Sequence, residues 1–389
     1  MKRILYLSFY FEPDLCAGSF RNSPLAVELA NQLEGIAEID LYTTMPNRYS
    51  TYNKIANKDE IRNNLHIHRI EIPSHKSGLL DQINSFKKYY SKVKKLTKHK
   101  TYDLVFASSS RLFTAYLGYS ISKSKNAKLY LDIRDIFYDG LKALLNNNLI
   151  KLITLPIIKR IEKMTFSNAD HINLISGGFL PYFSKYNNVN TTLFTNGIDD
   201  EFLNITKSYD NIVTEKKRVL YAGNIGEGQG LHKLIPQLAN NFVSELEFYV
   251  IGDGGAKQKL INSIKEFNCK NVILKNPVSR KQLLQEYQKA DFFLIHLNDF
   301  EVFKKVLPSK VFELGSYSKP IIAGVGGYAA KFIKENIPNV ILFYPCDVKD
   351  CTNKINKYKY QKVERKNFIE KFRRSNINAE MAKSIISYL

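Results

Sequence analysis

This sequence lacks the residue spacings that mark disulfide or metal chemistry. Its four cysteines, Cys16, Cys269, Cys346 and Cys351, form no Cys-x-x-Cys pair, and the histidines near them have no ligand spacing. They read as reduced thiols of a cytosolic protein. No Asp-x-Asp pair stands at a strand end, so no carboxylate clamp for a metal diphosphate is expected, and no Ser-His-Asp or Cys-His arrangement points to hydrolysis. No apolar run approaches the roughly 20 residues that a membrane-spanning helix needs. Ile4 to Phe11 behind Met1-Lys2-Arg3 imitates a signal peptide, but the run is short and ends in Glu12-Pro13-Asp14 without a small-residue cleavage site. It is better read as a buried first strand. Acidic residues are scarce, 37 against 57 basic, for a net charge of +20. Such a chain favours an anionic partner: nucleic acid, an acidic membrane surface or a phosphorylated substrate. The absence of a recognition helix, zinc finger or RNA-binding signature argues against nucleic acid.

What is present is a long, apolar-rich chain. At 389 residues and 44% hydrophobic it is too long for one core and fits two ordinary domains. Short apolar runs alternate with longer helical patterns, which indicates an α/β chain with parallel sheets covered by helices. A helix is expected at 20–34, a basic one at 80–99 and a single long one at 141–168. The pattern restarts at Arg218–Ala222 after a polar connector at 204–217. The expected domains are therefore 1–204 and 205–364, with a last helical stretch at 365–389 that could pack back on the first.

Residues 307–327 are the most informative stretch. Pro308 and Ser309 suit the start of a helix at 309–317, and Lys310 and Glu313 share a face of its first turn. Ile321-Ile322-Ala323 reads as a buried strand closed by a glycine turn. A helix start beside a lysine suits an anionic group such as a diphosphate, and a carboxylate one turn on suits a ribose diol. A capped surface helix with solvated Lys and Glu has the same pattern.

The segment resembles the donor-site motif of family 4 glycosyltransferases, above all the bacterial branch that builds capsule, O-antigen and lipopolysaccharide sugars. The resemblance spans nearly the whole chain and implies the GT-B architecture, two Rossmann-like doubly wound domains facing each other across a cleft, the first for acceptor and the second for donor. It implies a retaining transferase, hexosyl or N-acetylhexosaminyl, with a UDP-linked nucleotide sugar as donor and a polyprenyl-diphosphate-linked or glycan acceptor. No cofactor or metal is expected. The family's wider pattern has a second Glu eight positions before the first, where this chain has Lys305.

Carried over residue by residue, the resemblance places Gly18 and Ser19 at a loop near the donor phosphates. Arg21, oddly placed for the helix dipole, joins them as an anion contact. Asp132-Ile133-Arg134-Asp135 resembles the capsule branch's acceptor-side motif, making Arg134 and Asp135 the catalytic candidates, Asp135 orienting or deprotonating the attacking hydroxyl. In the loop Gly223–Gly230, Asn224 and Gly226 are donor candidates, with Asn224 and Gln229 standing where many relatives carry Arg and Lys. Val278 follows a strand where the family reads the base. Ser309, Lys310 and Glu313 complete the donor set. Two other readings stay open: a nucleotide-sugar 2-epimerase of the same architecture, and a basic nucleic-acid-binding protein.

A basic helix suggests the membrane. Seven lysines and no acid lie between Lys87 and Lys100, and Leu79, Ile83, Phe86, Tyr90 and Val93 recur at helical steps. Lys87, Lys88, Lys94 and Lys95 would then meet an anionic surface, with Leu149–Ile161 adding to it. The implied location is the inner face of the cytoplasmic membrane. A helix packed on its own sheet would look alike.

Overall fold

A computed structural model of the chain describes residues 1–14, 16–47, 56–73, 79–109, 112–145, 147–203 and 215–389. They form two compact α/β units, residues 1–196 with 375–389, and residues 197–374.

The first unit holds eight strands: β1 (Lys2–Ser8), β2 (Ala37–Thr44), β3 (Asp59–Arg62), β4 (Leu65–Ile70), β5 (Leu104–Ser109), β6 (Lys128–Ile133), β7 (His171–Leu174) and β8 (Asn190–Thr192). They lie in the order β3-β4-β2-β1-β5-β6-β7-β8, all parallel except β3 against β4. The central strands are apolar runs buried on both faces, as Ile4–Leu7 and Leu104–Ala107 are, because helices cover both sides of the sheet. On one side α1 (Ala17–Gln32) and the C-terminal α14 (Arg374–Ile386) close a core of Ile4, Tyr6, Leu25, Leu29, Phe106, Met381 and Ile385. The other side carries α2 (Leu79–Thr97), α3 (Leu112–Lys125), α4 (Phe137–Leu144) and α5 (Asn148–Phe166); the short α6 (Leu180–Phe183) precedes β8.

The second unit has β9 (Lys217–Asn224), β10 (Leu246–Asp253), β11 (Val272–Lys275), β12 (Phe292–His296), β13 (Ile321–Gly324) and β14 (Val340–Phe343), all parallel, in the order β11-β10-β9-β12-β13-β14. Its helices are α7 (Leu231–Asn241), α8 (Lys257–Glu266), α9 (Arg280–Lys289), α10 (Lys310–Gly315), α11 (Gly327–Asn336), α12 (Val348–Lys357) and α13 (Lys366–Phe372). In each sheet the strand order reverses once, between β1 and β5 and between β9 and β12, and in open α/β sheets ligands bind outside the carboxyl ends at that point.

Several expected boundaries shift. Helix α1 begins at Ala17, so Gly18 and Ser19 lie in its first turn rather than in a loop. The helix expected at 141–168 is two, because Asn147 accepts from the Leu149 and Ile150 amides and caps a fresh start. Helix α10 is shorter than expected, and the Ser309 side chain does not cap it. The expected connector lies outside the described residues as far as 214.

The apolar stripe of α2 is also turned from the expected one. Phe86, Tyr89 and Val93 face the sheet, Tyr89 donating to the Tyr42 carbonyl, whereas Ile83 is exposed; the Leu79 side chain lies outside the described ones. Lys87, Lys88, Lys94 and Lys95 are exposed.

Candidate functional site

The second unit gathers its chemistry at its strand-order reversal. The loop between β9 and α7 is glycine-rich for steric reasons: a Cβ on Gly226 would meet Asn224 Nδ2 at 2.6 Å, and Gly230 has the left-handed φ of 59° that favours glycine. Asn224 donates to Gln229 Oε1 at 2.8 Å, and the Gly226 amide donates to the same oxygen at 3.2 Å. Asn224 and Gln229 therefore bond to each other, and the loop carries no cation; its one charged residue, Glu227, pairs with Lys259. The end of β12 clamps the loop, since Asn298 donates to the Glu227 carbonyl and His296 Nδ1 meets the Gln229 carbonyl at 2.6 Å. The Cys346 amide donates to His296 Nε2 at 2.9 Å, so the proton of the neutral ring sits on Nδ1. Burial holds this histidine down at about 4.

The cation of the site is Lys310. Its Nζ donates to Glu313 Oε2 at 2.8 Å and to the Tyr287 hydroxyl at 2.8 Å, and its Cε lies 3.8 Å from where a Cβ on Gly223 would stand. Tyr287 in turn donates to Glu313 Oε2 at 3.1 Å. Both partners thus use one carboxylate oxygen, while Oε1 stands 3.9 Å from Arg280 Nη1. Burial pushes the Glu313 carboxyl up, but Lys310 and then Arg280 outweigh it and hold it below the usual carboxylate range. Arg280 is anchored by Asp199 at 2.8 Å and Glu201 at 2.5 Å. Ser309 immediately precedes Lys310. Val278 lies in the loop between β11 and α9, just before Arg280. The chain folds this way because Lys310 and Glu313 sit one turn apart on α10, which leads into β13 beside β12. Tyr287 and Arg280 come from α9, and no local motif marked them.

In the first unit, Gly18 and Arg134 come together. A Cβ on Gly18 would stand 2.8 Å from Arg134 Nη1, so glycine is what lets the guanidinium lie over the first turn of α1. That turn holds no acidic residue, and Arg134 Nε is buried without a hydrogen-bond partner; a bare helix start beside a guanidinium favours an anion. Ser19 is buried in the same turn. Asp135 follows β6 with an exposed side chain. Desolvation pushes its carboxyl up to about 6 against the pull of Arg134, and contact with water limits that rise.

Arg21 does not present its guanidinium to a ligand. It is buried and bonded to both oxygens of Asp132, through Nε at 2.9 Å and Nη2 at 2.8 Å, and to the Thr195 and Phe194 carbonyls. Asp132 also accepts from Ser108 and Asn173. The anion that Arg21 meets is Asp132, and its unusual place near a helix start reflects this internal pair. Sequence reasoning overlooked Asp132 as a partner, although a carboxylate inside the apolar run of β6 is the kind of residue that needs one.

No curated protein matches the sequence. Residues 206–375 match the family model described as glycosyl transferases group 1. Solved structures resemble the chain over its whole length. Sucrose-phosphate synthase from Thermosynechococcus elongatus is 15% identical with a TM-score of 0.75, covering 100% of this chain and 99% of that one. Anabaena HepE, solved in complex with UDP, is 16% identical with a TM-score of 0.64, covering 100% of each chain. The lipopolysaccharide outer core galactosyltransferase WaaB in its apo form is 14% identical with a TM-score of 0.57, again covering 100% of each. These relatives reach beyond the capsule branch, and at such identities the likeness is one of fold. The chain has the two-unit α/β fold of GT-B glycosyltransferases throughout, and its residues 206–375 are similar in sequence to the group 1 glycosyl transferases.

Proposed function

We propose that the protein is a retaining glycosyltransferase of family 4 type, moving a hexosyl or N-acetylhexosaminyl group from a UDP-linked sugar to a lipid-linked or glycan acceptor of a cell-surface polysaccharide at the cytoplasmic face of the membrane. The observation that carries this reading is the arrangement of Lys310 and Glu313. One oxygen of the buried carboxylate is held by Lys310 and Tyr287, and the other stands 3.9 Å from Arg280 Nη1. In this role Glu313 Oε1 accepts from the ribose hydroxyls while Lys310 faces the diphosphate. The amides of the Asn224–Gly226 loop and the backbone at Val278 complete the nucleotide site. Ser309 precedes the lysine, and its carbonyl accepts from the Phe312 amide at 3.1 Å in the first turn.

The chemistry follows from charge. As the bond from the anomeric carbon to the diphosphate breaks, negative charge grows on the leaving oxygens, and Lys310 stabilises it without a metal ion. The acceptor hydroxyl attacks from the same face, its proton passes to the leaving diphosphate, and configuration is retained. Asp135, exposed at the end of β6, orients that hydroxyl. Gly18, Ser19 and Arg134 supply the electropositive corner for phosphate; Arg21, committed to Asp132, is left out.

A thermal-shift screen over nucleotide sugars tests the donor, since a ligand at 100 times its Kd adds about 2.7 kcal/mol of stability. The expected outcome is a clear shift with UDP-linked sugars, followed by NMR of the product showing the donor's anomeric configuration. No shift with any nucleotide sugar, or an inverted product, would overturn the reading.

A further inference from the structure

Helix α5 has an outward face unlike any other described helix of the chain. Leu149, Ile150, Leu152, Ile153 and Ile157 are 67%, 48%, 72%, 61% and 55% exposed. At 100° per residue these positions and Pro156 share one side of the helix. Its opposite side, Ile158, Glu162, Thr165 and Phe166, is buried in the unit. The only acidic residue of α5 is Glu162, turned inward to accept from the Tyr182 hydroxyl at 2.5 Å. Lys159, Arg160 and Lys163 are exposed along its next turns. The outward surface is therefore apolar over its first ten residues or so and basic after them, with no acid between.

So large an exposed apolar patch calls for a covering. Charge decides which. A second copy of a chain carrying +20 would bring like charges together, whereas anionic lipid headgroups complement Lys159, Arg160 and Lys163 while the acyl boundary takes the leucines and isoleucines. The surroundings agree. Helix α3 touches both α5 and α2, so the exposed lysines of α2 belong to the same helical layer. Phe86, Tyr89 and Val93 are used up inside, so among its described side chains α2 offers mainly charge, with Ile83 and Leu96 exposed beside the lysines.

We propose that the outward face of α5 is an interfacial anchor, laying Leu149, Leu152, Ile153 and Ile157 into the headgroup boundary of an anionic bilayer, with the lysines of α2 as an electrostatic flank. The proposal sharpens the membrane part of the function above and does not depend on sugar transfer. The chain contains no tryptophan, so Ile153→Trp makes a single reporter. In the full chain its emission should shift to the blue on vesicles of phosphatidylcholine with phosphatidylglycerol. Val243→Trp, at a 50% exposed position of the second unit, should not shift. The double variant Ile153→Glu/Ile157→Glu changes only solvent-facing side chains. It should keep its melting temperature and UDP affinity yet lose about tenfold in the vesicle-bound fraction. Unshifted Ile153→Trp emission on protein that pellets with vesicles would overturn the anchor, as would full binding by the double variant. Wild-type chain that ignores vesicles but forms a dimer abolished by the double variant would instead assign the face to a second copy. Failure of UDP to bind the wild type would refute the nucleotide site and leave the anchor standing.

Discussion

Asp132→Asn should unravel the first unit while leaving the second untouched. Asp132 is buried at the end of β6 and accepts four hydrogen bonds: Arg21 Nε and Ser108 Oγ on Oδ2, both at 2.9 Å, and Arg21 Nη2 and Asn173 Nδ2 on Oδ1, both at 2.8 Å. The amide keeps the volume but turns one acceptor oxygen into a donor that faces two donors. Each lost bond to a charged group costs about 1.5–3 kcal/mol. The guanidinium of Arg21 is then buried without a counter-charge, and breaking such a pair typically costs about 3–5 kcal/mol in total. Hydrogen exchange followed peptide by peptide is the suitable assay, because a chain of two units need not unfold in one step. Amides of β1, β5 and β6 should exchange faster by roughly two to three and a half orders of magnitude, and those of β9 and β12 at the wild-type rate. The double variant Arg21→Met/Asp132→Leu should cost about as much as the single change rather than the sum, since partners in one network do not add. Acceleration below about tenfold in the first unit would refute the reading of Arg21 and Asp132 as its structural centre.

Further outcomes follow from the same structure. Burial holds His171 and His296 at about 4, below the 6.5 of an unfolded histidine. Their contribution is complete above pH 6.5 and is lost as pH falls towards 4, by about 1.4 kcal/mol per histidine per pH unit. Each unit should therefore be less stable at pH 5 than at pH 7.5 in urea titrations, and equal midpoints would contradict this. Gly230→Ala, at a φ of 59° and 3.1 Å from Asn298, should cost about 1 kcal/mol or more and weaken nucleotide binding through the loop; an unchanged melting temperature would contradict it. Because Lys310 carries the diphosphate charge in this account, turnover should survive EDTA, and activity abolished by chelation and restored by Mg²⁺ or Mn²⁺ would refute that step.

Much of this was visible in the chain because parallel strands buried on both faces leave continuous apolar runs, as at Ile4–Leu7 and Phe292–Ile295. Lys310 and Glu313 were legible for a similar reason, since one helical turn brings residues three apart together. Features that depend on distant partners were not. Arg21 and Asp132 are 111 positions apart, and Tyr287 joins Glu313 across 26. Strand β3, Asp-Glu-Ile-Arg, is an exposed antiparallel edge without an apolar run. The stripe on α2 misled because Tyr89 and Tyr90 are equally apolar in sequence, and only packing against Phe9 and Tyr42 selects Tyr89. The outward face of α5 was legible in part, since Leu149–Ile161 reads as an addition to the basic surface, and the structure leaves Leu149, Leu152, Ile153 and Ile157 exposed.

The most direct test of the central claim is calorimetric titration of UDP into the wild-type chain, Lys310→Ala and Glu313→Gln. Each variant removes a charge-assisted bond worth about 1.5–3 kcal/mol, so each should bind at least tenfold more weakly than the wild type while remaining folded. Wild-type affinity in both variants would contradict the account.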